Sequence, residues 1–177
     1  SYTDQIDIKI EQRWTPVESV GVYVPGGKAI YPSSVLMNVI PALVAGVRRI
    51  VMVTPSMNGV LNNSILAAAS ICNVEEVYRI GGAQAIAALT YGTDQIDKVD
   101  MIVGPGNSYV AAAKKQVFGE VGIDMVAGPS EVMVVADSDM DLEWVVEDLF
   151  AQAEHDDNAQ SILVTKDIDF AKRVLER

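Results

Sequence analysis

Arg49-Ile50-Val51-Met52-Val53-Thr54 is apolar at four successive positions, where a strand with one wet face would alternate. That pattern predicts a strand covered on both sides, as in a parallel sheet. Working outward, the flanking text repeats the theme. Val20-Gly21-Val22-Tyr23-Val24 reads as a strand stopped by Pro25-Gly26-Gly27. A helix follows, with Ser33-Ser34 as its cap and Gly46 at its end. Pro41 inside it is expected to kink or break it. Asn58 to Cys72 reads as a helix, Glu76 to Ile80 as a strand ended by Gly81-Gly82, and Gln84 to Tyr91 as a helix ended by Gly92. Val99 to Val103 is the next strand, closed by Gly104-Pro105-Gly106, and Asn107 to Phe118 the next helix. Ile123 to Val126 is short and extended. Strands at Glu131 to Ala136 and Ser161 to Thr165 enclose a helix at Asp141 to Ala153, and a last helix starts at Ile168. Residues 1–16, with Trp14 and Pro16, read as the tail of a preceding helix or strand. Strand and helix in alternation, joined by short glycine-rich turns, imply an α/β protein with a parallel sheet and crossover helices on both faces.

Bulk properties narrow the function. The chain has 177 residues, half of them hydrophobic, enough to bury a sizeable core. A net charge of −11 speaks against a nucleic-acid or anionic-membrane partner, either of which needs a basic patch. It leaves room for a phosphate-bearing cofactor, which backbone amides at a helix start can hold. No apolar run approaches the roughly 18 to 20 residues of a membrane span. The single Cys72 excludes an intrachain disulfide and fits a reducing cytoplasmic setting. His155 is the one imidazole in the chain.

In a fold of this class, ligands bind beyond the C-terminal ends of the strands. Three strand ends carry unusual turns: Pro25-Gly26-Gly27 beside Tyr23, Gly81-Gly82 beside Gln84, and Gly104-Pro105-Gly106 beside Asn107. The side chains of Tyr23, Gln84 and Asn107 are expected to point toward one crevice suited to a dinucleotide. Glycine is also common at any strand–helix joint, so the turns alone leave both readings open. Neither G-x-G-x-x-G nor a P-loop is present: Tyr109 stands where the third glycine would be, and Gly26-Gly27-Lys28 is followed by Ala29.

A second candidate is Gln152-Ala153-Glu154-His155 at a helix end. Gln152 and His155 are three apart and share a face. A carboxamide oxygen and a neutral imidazole nitrogen are both acceptable to zinc, although zinc takes about four ligands and no second His exists here. The alternative is a solvated His at a helix C-terminus. Ser130, after Gly128-Pro129, reads as a turn residue and lacks a nucleophile-elbow context. Cys72 ends an apolar helical run and reads as a buried small hydrophobe. The acidic series Asp137, Asp139, Asp141 and Glu143 lacks the spacing of a calcium loop and reads as a solvated helix start.

Taken in order, a set of segments resembles the histidinol dehydrogenase family. They are Gly21-Val22-Tyr23-Val24-Pro25-Gly26-Gly27, Tyr31-Pro32-Ser33-Ser34-Val35-Leu36-Met37 and Gly81-Gly82-Ala83-Gln84-Ala85-Ile86-Ala87-Ala88-Leu89. Lys98-Val99-Asp100, Gly104-Pro105-Gly106-Asn107, Ile123-Asp124-Met125, Ala127-Gly128-Pro129-Ser130-Glu131-Val132 and Gln152-Ala153-Glu154-His155 continue it. The resemblance implies a zinc-dependent enzyme that oxidises L-histidinol to L-histidine by way of histidinal with two NAD+, the last step of histidine biosynthesis. It places Tyr23, Gln84 and Asn107 on NAD-contacting positions and Ser130 on a substrate-contacting one. Gln152 and His155 fall on zinc ligands that also touch substrate. It further implies a homodimer of incomplete Rossmann-like domains, residues 25–130 forming one that is inserted into another made from residues 1–24 and 131–177. The family's acid/base Glu-His pair and its remaining zinc ligands cannot be placed on this sequence, and the resemblance puts the acid/base pair beyond Arg177. The 177 residues are therefore expected to hold no catalytic residue and to be inactive alone, as a truncated piece. Two rivals stand beside this: a relative of the aldehyde dehydrogenases, which use a catalytic cysteine that Cys72 does not resemble, and a non-catalytic nucleotide- or partner-binding module.

Overall fold

The computed structural model describes residues 1–26, 31–56, 59–126, 130–154 and 159–177. The chain divides into two compact units, residues 1–127 and residues 128–177.

The first unit opens with an antiparallel pair, β1 (Tyr2–Thr3) and β2 (Lys9–Ile10), where the sequence suggested only the tail of an element. Asp4 organises the turn between them, its carboxylate accepting the N–H groups of Ile6 and Ile8. Then follow β3 (Ser19–Tyr23), α1 (Pro32–Ala45), β4 (Arg49–Val53), α2 (Asn63–Ile71), β5 (Glu76–Tyr78), α3 (Gly82–Tyr91), β6 (Met101–Val103), α4 (Ser108–Val117) and β7 (Gly122–Ile123). The sheet order is β5-β4-β3-β6-β7, and every neighbouring pair is parallel. The chain thus winds outward from β3 to one side, returns, and continues to the other side from β6. This is the doubly wound order, whose switch point lies between β3 and β6.

Side chains alternate across the sheet, and each face finds its own helices. Val20, Val22, Val24 and Met52 pack with α1 and α2 through Val35, Val39, Ile65 and Ala69. Tyr23, Val51, Val53 and Ile102 pack with α3 and α4 through Ile86, Leu89 and Val110. Each such buried aliphatic side chain contributes about 1.5–3 kcal/mol. Two separate cores explain why β4 is apolar without alternation.

Three helix expectations shift. Helix α1 begins at Pro32, whose missing N–H costs nothing at the first helical position, so Ser33 and Ser34 lie inside it and do not cap it. Pro41 does not break it. The carbonyl that loses its partner belongs to Met37, which is 74% exposed, so water can meet it. Helix α2 starts at Asn63 because the Asn62 side chain accepts the Ser64 N–H at 2.8 Å. The boundary expected at residue 24 also falls elsewhere. Strand β3 is the centre of the five-stranded sheet, so residues 19–23 belong with the elements that follow them.

The second unit consists of β8 (Glu131–Val135), α5 (Leu142–Ala153), β9 (Gln160–Val164) and α6 (Ile168–Leu175). Its two strands are parallel and in register from Glu131 with Gln160 to Val135 with Val164. Asp141 and Asp167 cap the two helices. Helices α5 and α6 cover one face, burying Val145, Val146, Phe170 and Val174 against Val134 and Leu163. On the other face Met133, Val135, Ile162 and Val164 remain exposed.

Candidate functional site

The C-terminal edge of the five-stranded sheet is built mainly from main chain. Tyr23 ends β3 with its ring in the core and 3% of its surface exposed. Its hydroxyl accepts the N–H of Gly82, the first residue of α3, at 3.0 Å. The expectation that Tyr23 points into a crevice needs correcting. The phenol lies under the edge and anchors the neighbouring turn, because a buried hydroxyl must find a hydrogen-bonding partner.

The same residue meets the third turn. A β-carbon on Gly104 would lie 2.2 Å from the Tyr23 carbonyl oxygen, and Gly104 has φ +106°. Glycine alone satisfies both conditions. Pro55, just beyond β4, fills the space between the remaining turns: a β-carbon on Gly26 would lie 2.7 Å from its carbonyl oxygen, and one on Gly81 2.6 Å from its own β-carbon. Tyr23 and Pro55 together draw three glycine turns into one edge.

Gln84 is exposed on the first turn of α3, and its side chain folds back toward Gly82, where a β-carbon would lie 2.8 Å from Oε1. Asn107 is exposed and caps α4, its Oδ1 accepting the Val110 N–H at 3.1 Å. The cap uses the Asn107 oxygen, and among the described residues none takes its amide nitrogen. The first turns of α3 and α4 contain no acidic residue, so their positive dipole ends are uncompensated.

Beneath the Gly104 turn lies a pair the sequence reading missed. Lys114 of α4 is 3% exposed. Its Nζ donates to the Gly104 carbonyl at 3.1 Å and forms an ion pair with Asp124 Oδ1. Asp124 Oδ2 accepts the Gly104 N–H at 2.8 Å. The available signal was periodicity: Val110, Lys114 and Val117 lie on one stripe of α4, so this lysine falls on the buried face.

The opposite edge of the sheet is held by side chains. Arg49 at the start of β4 grips Glu76 at the start of β5 with two parallel bonds, Nε to Oε1 at 2.7 Å and Nη2 to Oε2 at 2.9 Å. The Arg49 bond pulls the Glu76 carboxyl below its ordinary range, against a smaller opposing effect of burial. Just before β6, Asp100 Oδ2 accepts both the N–H and the hydroxyl of Ser19 at 2.8 Å. The Ser19 hydroxyl first, then its N–H, hold the Asp100 carboxyl below its ordinary range.

In the second unit, Gln152 near the end of α5 is partly buried, and its Nε2 donates to the Ser130 carbonyl at 3.4 Å, a long bond. The structure therefore brings Ser130 and Gln152 together and turns the Gln152 oxygen away from that contact. His155 lies outside the described residues. Among the described residues, no group of three or more His, Cys, Asp or Glu side chains is placed to hold a metal. The donors this unit offers, a carboxamide oxygen and an imidazole, are acceptable to zinc but supply only part of a coordination sphere. Arg177, beyond which the sequence reading puts the acid/base pair, reaches back to Glu143 in the first turn of α5, Nη2 to Oε1 at 2.6 Å. Both side chains are more than half exposed, so this is a surface ion pair that fastens the residues after α6 to α5 and offers no acid or base to a site. Cys72 is buried in the core, as expected. Among the described residues, no helix is long and apolar enough to cross a membrane.

Comparison with known proteins follows the same lines. The histidinol dehydrogenase family profile matches residues 1–177. The histidinol dehydrogenases of Rhizobium meliloti and Agrobacterium fabrum are 63% and 64% identical over 173 residues, in each case covering 98% of this chain and 40% of the relative. The crystal structure of histidinol dehydrogenase from Elizabethkingia anophelis superposes with a TM-score of 0.88 at 46% identity, over 92% of this chain and 38% of that one. This chain spans about 40% of the length of the curated relatives. It belongs to the histidinol dehydrogenase family.

Proposed function

We propose that this chain carries the nucleotide side and part of the metal site of a zinc-dependent, NAD-linked enzyme that oxidises L-histidinol to L-histidine by way of histidinal, the last step of histidine biosynthesis. The observation that carries the reading is the convergence of three glycine turns on Tyr23 and Pro55 at the switch point of a doubly wound sheet. An edge of close-packed glycine turns with two helix N-termini that carry no acidic residue in their first turns suits a pyrophosphate, which needs N–H donors and close approach rather than side-chain charge. This accounts for a dinucleotide site without the usual glycine fingerprint.

In this reading Gln84 and Asn107 contact NAD through their exposed amides. Tyr23 contributes through its hydroxyl proton or by fixing the Gly82 amide. Ser130 contacts histidinol, and Gln152 and His155 hold zinc and touch substrate. When bound, the dinucleotide accepts hydride and the zinc orients the substrate and organises its charge. The residues of this chain bind and orient. The acid/base pair that moves the hydroxyl proton is not among them and belongs beyond Arg177, so the 177 residues alone are inactive.

Residues 131–177 are read as part of a second Rossmann-like domain, completed by further strands and supported by the open apolar face of β8 and β9. The working enzyme is a cytoplasmic homodimer with a small-molecule substrate and no nucleic-acid or membrane partner.

The test is histidinol-dependent NADH formation by the full-length protein, with and without a chelator, beside the 177-residue chain. The expected result is chelator-sensitive turnover in the first and none in the second. A full-length protein inert toward histidinol would replace this reading with a non-catalytic nucleotide-binding module. Turnover by the 177 residues would remove the claim that they lack an acid/base group.

A further inference from the structure

We propose that the buried Lys114–Asp124 pair is the positioning device of the dinucleotide edge, locking the Gly104–Asn107 turn in its ligand-receiving shape. The proposal rests on the reading that this turn meets NAD. Both hydrogen-bonding groups of Gly104 are held by the pair: Lys114 takes the carbonyl and Asp124 the N–H. Asp124 Oδ1 also accepts the Met125 N–H at 2.6 Å, which fixes the carboxylate to the end of β7. The clamp thus joins α4, β7 and the end of β6 at Gly104, whose φ of +106° sets the direction of the turn.

A lysine is a costly choice for a position 3% exposed on a helix face otherwise lined by Val110 and Val117. An aliphatic residue would fill the same stripe and pack against the same core. What it could not do is reach the Gly104 carbonyl or balance Asp124. Helix α4 begins at Ser108, so any drift of Gly104 moves the Asn107 cap and the first N–H groups of the helix together. In this proposal Lys114 and Asp124 are positioning residues. They act through Gly104.

The experiment is made on the full-length protein with Lys114→Met, Lys114→Gln and Asp124→Asn, and with Arg49→Met as a control that weakens the opposite edge of the same sheet. Two quantities are read: the KM for NAD+ against that for histidinol, and hydrogen exchange at the Gly104, Asn107 and α2 amides. Lys114→Met is expected to raise the KM for NAD+ and the exchange of Gly104 and Asn107 by about tenfold or more, the scale of a lost charged hydrogen bond. The KM for histidinol and exchange in α2 stay near the parent values. Lys114→Gln keeps a donor for the Gly104 carbonyl and is expected to fall between, and it carries the test if Lys114→Met does not fold. Arg49→Met lowers the melting temperature without moving the KM for NAD+. A variant that melts lower yet keeps the parent KM and exchange at the turn would reduce the pair to ordinary stabilisation and overturn the proposal. If the parent protein shows no NAD dependence, the dinucleotide reading fails by itself, and the exchange at Gly104 still decides whether the pair positions the turn.

Discussion

The Tyr23 hydroxyl accepts the Gly82 N–H at 3.0 Å, while the carbonyl of the same residue occupies the space a β-carbon on Gly104 would need. One residue therefore sets the spacing of two turns that are 22 positions apart in the chain. Tyr23→Phe keeps the packed ring and leaves the Gly82 N–H without its acceptor. The expected cost is about 1–2 kcal/mol in denaturant unfolding. Faster hydrogen exchange at Gly82, with α2 unchanged, would locate the effect.

Gly104 and Gly119 share φ +106° but not their surroundings. A β-carbon at Gly104 meets the Tyr23 carbonyl, whereas one at Gly119 meets nothing within 4 Å. Gly119→Ala is expected to cost about 1–2 kcal/mol from backbone strain alone. Gly104→Ala adds a clash with main chain that cannot move aside, and about 3 kcal/mol or more is expected. Equal losses in the two variants would mean that backbone strain, not space, governs the edge.

Asn107 caps α4 with its Oδ1, and the NAD contact proposed for its amide nitrogen can be separated from that cap by substitution. Asn107→Ala removes the cap and is expected to cost about 1 kcal/mol. Asn107→Asp keeps a capping oxygen and loses the amide nitrogen, so stability stays within about 0.5 kcal/mol of the parent while, in the proposed reading, a negative charge is set against the dinucleotide. NAD+ affinity should then fall in the more stable variant, which calorimetric titration against denaturant melts would show.

The N-terminal edge of the sheet responds to acid. Glu76 and Asp100 both titrate below their ordinary values of 4.5 and 3.8 in the folded chain. A lowered folded value means stability that is fully present above the ordinary value and is lost as pH falls through the folded one. The loss should therefore begin near pH 4.5 and deepen below 3.8. Glu76→Gln and Asp100→Asn should each flatten that acid limb in unfolding measurements. Solvent screening of the partly exposed Arg49–Glu76 pair keeps its share to about 1 kcal/mol. An unchanged limb in both variants would place acid sensitivity elsewhere.

Much of the first unit could be read from residue order, for a physical reason. Buried parallel strands are apolar without alternation, and Gly-Pro turns mark where they end, so β3 to β6 and the helices between them follow from local chemistry. Tyr23 misled because a tyrosine beside a glycine turn has two homes, an apolar one for the ring and a polar one for the hydroxyl. Only the three-dimensional position of Gly82 decides between them. Lys114 is hard to read as buried because charge normally means surface, and its partner Asp124 becomes a neighbour only through the sheet. A boundary at residue 24 equates a strand end with a domain end. Pro25-Gly26 has the same local signature in either case, and β3 reveals its place only through pairing with β4 and β6.

A ligand edge walled by peptide groups carries its specificity in turn length and proline–glycine spacing more than in side-chain identity. Such a wall is hard to retune one residue at a time. If the edge takes a dinucleotide as proposed, altering which one it accepts would call for insertion or deletion in the turn after Val103, and random point substitution should enrich for loss of binding long before any change of preference.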